Sequence, residues 1–124
     1  MTQSHKDAAV EFLELVAAGN VREAYASYVG PDFRHHNPFF AGDATSLMRG
    51  MEENAASNPG KVLSVQMALQ DGARAVVFSH VKQRPDDRGA AVVHIFRFEN
   101  DRIVELWDVG QPIPEQSVNE HGMF

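Results

Sequence analysis

An aspartate near the end of the chain is the residue best placed to do chemistry. Asp108 stands in an apolar run with Val104, Leu106 and Val109, and the chain's only tryptophan, Trp107, precedes it. A carboxylate in such surroundings costs free energy unless another group pairs with it or it stays protonated. A carboxyl group held in this way can serve as a general acid or base.

Three of the six histidines lie in or near other apolar segments that could face this aspartate. His80 and His94 are each in phase with a phenylalanine of their own predicted strand, so a sheet face that carries those rings carries both imidazoles. His35 and His36 are neighbours in a predicted strand, so one faces the cavity of the sheet and the other faces away. Each histidine could equally be a core or surface residue with no chemical role.

A metal site is a second possibility for three histidines and one carboxylate, with zinc or iron as candidates. No His-x-His or His-x-x-x-His spacing supports it, so we predict no metal ligands. The chain also lacks a Gly-rich phosphate loop, a nucleotide fingerprint and a Gly-x-Ser-x-Gly pattern. We therefore expect no cofactor.

Composition narrows the class of protein further. The 124 residues suffice for one domain, 1–124, and the net charge of −6 without a Lys/Arg cluster argues against nucleic-acid or anionic-membrane partners. Cysteine is absent, which excludes disulfides and a cysteine nucleophile. The first residues lack an apolar signal core, so we expect a cytoplasmic protein.

The first half of the chain has helical spacing. A capping box at Ser4–Asp7 begins a first helix that Gly19 ends, and Asn20 begins a second helix that ends at Gly30-Pro31. Two short helices joined by almost no loop form a helical hairpin.

A short edge strand and a third helix follow. The strand is predicted at 33–40, on an edge because Pro38 cannot donate to a central ladder. Asp43 is the predicted N-cap of the third helix, which Asn58-Pro59-Gly60 ends.

After Gly60 the apolar period changes to two, which is typical of strands. Asp71-Gly72 is a strong hairpin signal, and Glu99-Asn100-Asp101 supplies a tight turn. We expect long strands near 62–70, 73–83, 90–98 and 102–109. Helices first and antiparallel strands last make an α+β domain.

This order of elements resembles the nuclear transport factor 2-like superfamily, and within it the SnoaL-like polyketide cyclase and aldol-condensing group. The residues that carry the resemblance are His36-Asn37-Pro38, His80, Phe96-Arg97-Phe98-Glu99, Asp101-Arg102-Ile103-Val104-Glu105 and Trp107-Asp108-Val109. The resemblance implies a cone-shaped, cystatin-like α+β barrel with three N-terminal helices packed on a curved antiparallel sheet.

The resemblance also implies that an aspartate near the end of the last strand acts as general acid/base, and the His-Asn-Pro match turns His36 inward. We predict catalytic roles for Asp108, His36 and His80, with a hydrogen bond between Asp108 and one of the two histidines. The predicted substrate-binding residues are Asn37, Phe39, Phe78, His94 and Phe96. The expected reaction is cofactor-free proton transfer next to a carbonyl, as in aldol-type cyclisation or isomerisation of a small apolar compound.

Two departures keep a second interpretation open. Relatives often have an acidic residue where this chain has His94, and a histidine where it has Leu106. The alternative is a non-catalytic protein of the same fold that binds a small ligand or serves as a dimeric scaffold. A cavity that holds Asp108 and two histidines favours the enzyme, whereas a cavity plugged by side chains favours the scaffold.

The outer face of the sheet is also expected to be apolar, so we predict a homodimer through it. The residues assigned to that face are Val77, Val81, Val93, Ile95, Ile103 and Trp107.

Overall fold

The chain begins with two helices, as predicted. The computed structural model describes residues 3–124, and in it α1 spans His5–Ala17 and α2 spans Val21–Tyr28. The Ser4 hydroxyl accepts a hydrogen bond at 3.1 Å from the backbone amide three residues later, which caps α1. Gly19, with a φ of +90°, turns the chain into α2. Within residues 3–124, no helix combines the length and apolar character needed to cross a membrane.

An edge strand, β1 (Val29–His35), follows α2 directly, and α3 spans Ala44–Ser57. The prediction of a strand at 33–40 started and ended too late. The chain leaves β1 because the Asn37 side chain accepts a hydrogen bond from the backbone amide two residues later, at 2.9 Å, and closes a turn before α3. Asp43 caps α3 as predicted.

The remaining chain forms four long strands of a five-stranded sheet. They are β2 (Val62–Asp71), β3 (Arg74–Lys82), β4 (Ala90–Glu99) and β5 (Arg102–Pro112). The strand order is β1-β5-β4-β3-β2. β2 to β5 pair antiparallel, as predicted, but β1 runs parallel to β5, so the sheet is mixed. β1 can do so because no hairpin connects it to β5. The α+β class is confirmed.

The helices cover one face of the sheet, which we call the inner face. The prediction that Val77, Val81 and Ile103 lie on the outer face was wrong. Val77 and Ile103 are fully buried in the core beneath the helices, and Val81 lines a cavity on the same side. Strand alternation divides side chains between two faces, but it does not say which face the helices cover.

A β-bulge in β5 causes part of this error. Arg97 of β4 pairs with Glu105, but the next residue, Phe98, pairs with Ile103, so Val104 has no partner. The extra residue shifts the alternation of side chains within the strand. Ile103 therefore packs inward beside Phe98.

A buried carboxylate on the outer face joins β1, β4 and β5. Glu105 is only 5% exposed. Its Oε1 accepts a hydrogen bond from Arg97 Nε at 2.9 Å, and its Oε2 lies 3.0 Å from Arg34 Nε and 2.7 Å from His36 Nε2. The hydrogen bond with His36, assisted by Arg97 and Arg34 and opposed by burial, lowers the pKa of Glu105 to about 2.

Glu105→Gln should lower the free energy of unfolding near neutral pH by about 1–3 kcal/mol, because the charged hydrogen bonds are lost. The folded-state pKa of Glu105 lies below its ordinary value of 4.5, so the folded state resists protonation. The stabilisation is present above pH 4.5 and is lost as the pH falls towards about 2. Urea unfolding between these two pH values should therefore show a smaller dependence on pH in the variant.

Glu99→Gln is the matched control. Glu99 pairs with the same Arg97 at 2.9 Å, but its side chain is 64% exposed. Its loss should cost less than about 1 kcal/mol. Equal losses for the two variants would contradict the importance of the buried carboxylate.

Candidate active site

A cavity of about 290 Å³ lies between the helices and the end of the inner sheet face that is farthest from the β4–β5 turn. Apolar residues of α1, α3 and the sheet make up most of its lining, including Leu13, Val16, Leu47, Met51, Leu63 and Val92. Six polar side chains also reach it: Asn37, Asn54, Lys61, Gln83, His94 and Asp108.

Asp108 lies in this cavity opposite His94, which faces it across the β4–β5 ladder. Directly opposed residues of antiparallel strands have Cβ atoms about 4.5–5.5 Å apart, so the two side chains are neighbours. Asn37 Nδ2 donates a hydrogen bond to Asp108 Oδ2 at 3.0 Å. The loop after β1 thus orients the carboxylate, while the turn-closing bond of Asn37 orients the amide itself.

His94 is neutral in this setting. Burial lowers the pKa of His94 to about 4; the negative charge of Asp108 opposes this shift and the positive charge of Lys61 adds to it. Its Nδ1 atom is buried and has no hydrogen-bond partner within residues 3–124. A neutral imidazole beside a carboxylate can donate or accept a hydrogen bond without adding charge to the cavity.

Sequence reasoning missed three of the polar residues. Lys61, Asn54 and Gln83 line the cavity, and Lys61 Nζ donates a hydrogen bond to Asn54 Oδ1 at 2.8 Å. The spacing of each residue in the sequence could have indicated its place in the cavity. Lys61 is in phase with the inward Leu63, and Gln83 is in phase with the inward Val81. Asn54 lies on the buried helical stripe of α3.

The predicted hydrogen bond between Asp108 and His36 or His80 was wrong. His36 lies outside the cavity, where it bonds Glu105 and stacks on Trp107 with ring centroids 5.0 Å apart. β1 ends at His35 and the chain turns at Asn37, so the alternation of a strand does not set the direction of the His36 ring.

His80 also lies outside the cavity. It is on the outer face of β3, with Nε2 2.8 Å from the carbonyl oxygen of Arg88 and its ring stacked on Phe124. β3 turns its smaller side chains, Ala75 and Val77, towards α1, which leaves His80 on the opposite face. The C-terminal residue docks here.

The three phenylalanines predicted to bind substrate lie outside the cavity. Phe78 shares the outer face with His80 and packs on Phe124. Phe39 is 85% exposed, and Phe96 is fully buried in the core, 6.0 Å from the ring of Phe12. None of the three lines the cavity, whereas Phe40 does. Of the predicted site residues, Asp108, Asn37 and His94 are the ones that the fold brings together.

Solved structures with the same fold come from several bacteria. An NTF2-like protein of unknown function from Cytophaga hutchinsonii is 15% identical, with 90% of this chain and 94% of that chain covered and a TM-score of 0.72. IdmH, a proposed polyketide cyclase from Streptomyces antibioticus, is 19% identical over 88% of this chain and 93% of its own, with a TM-score of 0.70. A proposed ketosteroid isomerase from Kribbella flavida is 20% identical over 94% and 85%, with a TM-score of 0.71.

The comparison with curated proteins gave no match. In the comparison with protein families, residues 9–106, from α1 into β5, match the family described as SnoaL-like domain. The three helices on a mixed sheet agree with the fold of the solved relatives. The chain belongs to the SnoaL-like domain family, within the NTF2-like fold.

Proposed function

We propose that this protein is an enzyme that moves a proton next to the carbonyl group of a small, mostly apolar molecule. The observation that carries the proposal is the pair of Asp108 and a neutral His94 on opposed positions of one largely apolar cavity. Two relatives of the same fold are described as a proposed polyketide cyclase and a proposed ketosteroid isomerase, and both names refer to this class of chemistry.

Asp108 is the general base in this proposal. Its carboxylate takes the proton from the carbon beside the carbonyl and returns it at another atom. Asn37 positions the carboxylate through its hydrogen bond to Oδ2, which leaves Oδ1 for the substrate.

His94 is the hydrogen-bond donor to the carbonyl oxygen in this proposal. The negative charge that develops on that oxygen is stabilised by a donor already in place. A neutral imidazole suits this role, because it polarises a carbonyl without the cost of a buried cation. The proposal thus moves the histidine role from His36 and His80 to His94.

Asp108→Asn should reduce turnover on the order of 10²–10⁴-fold, the usual contribution of one acid/base group. The amide keeps the shape of the side chain and can still accept the bond from Asn37. The assay is proton exchange at the α-carbons of a panel of small cyclic ketones in D₂O, followed by NMR. It requires no knowledge of the natural substrate.

Asp86→Asn is the control, since Asp86 is exposed in the loop between β3 and β4. It should exchange protons at the parent rate. Parent-level exchange by the Asp108 variant would exclude Asp108 as the base.

His94→Phe should remove a loss of stability in mild acid. The folded-state pKa of His94, about 4, lies below the ordinary 6.5, so the unfolded chain binds the proton first. Above pH 6.5, His94 therefore costs no stability. As the pH drops towards 4, protonation of the unfolded chain lowers the free energy of unfolding by at most about 3 kcal/mol. Thermal unfolding across this range should be flatter in the variant, whereas Glu105→Gln should keep the parent slope at pH values well above 4.5.

The alternative function is binding without turnover. It is favoured by Leu106, which is 1% exposed in the core at the position where relatives often carry a histidine. Ketone binding by the parent protein, detected as a thermal shift, together with no α-proton exchange would establish this alternative.

We also propose that the protein forms a homodimer through the outer face of the sheet. Ile95 lies between Val76 and Trp107 on this face, and around them Met67, Leu69 and Val109 are 54%, 61% and 69% exposed. An apolar surface of this extent usually marks an interface.

Ile95→Glu should convert the dimer to a monomer, because a charge at the centre of an apolar interface loses its hydration. Sedimentation velocity at high micromolar concentration measures the change. Val118→Glu is the control, since Val118 is fully exposed in the C-terminal tail. A parent protein that sediments as a monomer would contradict the proposal.

A further inference from the structure

The cavity contains an amine that the proposed reaction does not use. Among the residues that line it within 3–124, Lys61 is the only lysine or arginine. It precedes β2 and is half-buried, with Leu13, Leu63 and Val81 also lining the cavity. It therefore shares one cavity with His94 and Asp108.

The surroundings of Lys61 favour the neutral amine over the ammonium. Its Nζ donates to the neutral acceptor Asn54 Oδ1, and no carboxylate within residues 3–124 forms an ion pair with it. Burial lowers the pKa of Lys61. A lysine desolvated in a mostly apolar site, without an ion-pair partner, is the arrangement that activates lysine as a nucleophile.

We propose that Lys61 is a nucleophilic amine that forms an imine with a carbonyl ligand in this cavity. The neutral Nζ adds to the carbonyl carbon and makes a C–N bond. One proton then passes from the nitrogen to the oxygen and a second comes from solvent, so the carbonyl oxygen leaves as water and a protonated imine remains. With that solvent proton counted, atoms and charges balance.

The use of the imine rests on the proposed function. The protonated nitrogen withdraws electrons from the α-carbon more strongly than a carbonyl oxygen does, so loss of the α-proton to Asp108 gives a neutral enamine. An enamine can attack a second carbonyl, which extends the chemistry from proton exchange to carbon–carbon bond formation. The ligand class that follows is a small ketone or aldehyde with an α-hydrogen.

The test is the reaction with acetylacetone near neutral pH. This 1,3-diketone condenses with a neutral amine to a vinylogous amide that absorbs in the near ultraviolet, outside the protein band. Ordinary lysines are almost wholly protonated at this pH, and each unit by which a pKa falls gives about tenfold more neutral amine. The parent protein should develop the band severalfold faster than Lys61→Met, and peptide mapping should locate the adduct on Lys61.

Two controls make the result specific. Lys82→Met removes a lysine outside the cavity and should react at the parent rate. Lys61→Arg keeps a cation and a donor for Asn54 but cannot form the vinylogous amide, so it should lose the band while it keeps the parent fold by circular dichroism. A parent-level band in either Lys61 variant, or an adduct on another lysine, would overturn the proposal.

Asp108→Asn separates this inference from the proposed function. The amine adds to acetylacetone without a base at position 108, so this variant should form the adduct even though it fails to exchange α-protons. An adduct without exchange in the parent protein supports the amine and contradicts the enzyme. Exchange without an adduct supports the enzyme and contradicts the role of Lys61 as a nucleophilic amine.

Discussion

The pairing of β4 with β5 determines where the polar side chains of the cavity lie. Its register sets His94 opposite Asp108 and Phe96 opposite Leu106, so one face of the sheet carries both the polar groups of the cavity and the apolar groups of the core. One unpaired residue, Val104, interrupts the alternation near the start of β5. Without that bulge, the beginning of the strand would turn its core side chain outward.

The inner face changes character along its length. Near the β4–β5 turn it is closed, with Phe12 meeting Phe96 edge to face at 6.0 Å. Towards the opposite end it opens into the cavity, where Lys61, His94 and Asp108 share a mostly apolar wall. Groups of this kind cost free energy to bury and do nothing for packing. Such a local conflict is typical of functional sites and not of a core.

The outer face shows that a histidine beside a carboxylate can serve structure instead. His36 bonds Glu105 at 2.7 Å, in a cluster that ties β1 to β4 and β5 and holds the carboxylate ionised. Leu106, the neighbour of Glu105 in β5, packs in the core on the other face. Among residues 3–124, His94 is the histidine that lines the cavity.

The sequence by itself determined the element order and the α+β class, because capping, turn chemistry and periodicity are local properties. Only the tertiary structure decided which face of each strand meets the helices. That choice excluded His36 and His80 from the cavity and brought in Lys61, because it depends on how closely α1 and α3 pack on the sheet and on a single bulge, neither of which alternation encodes.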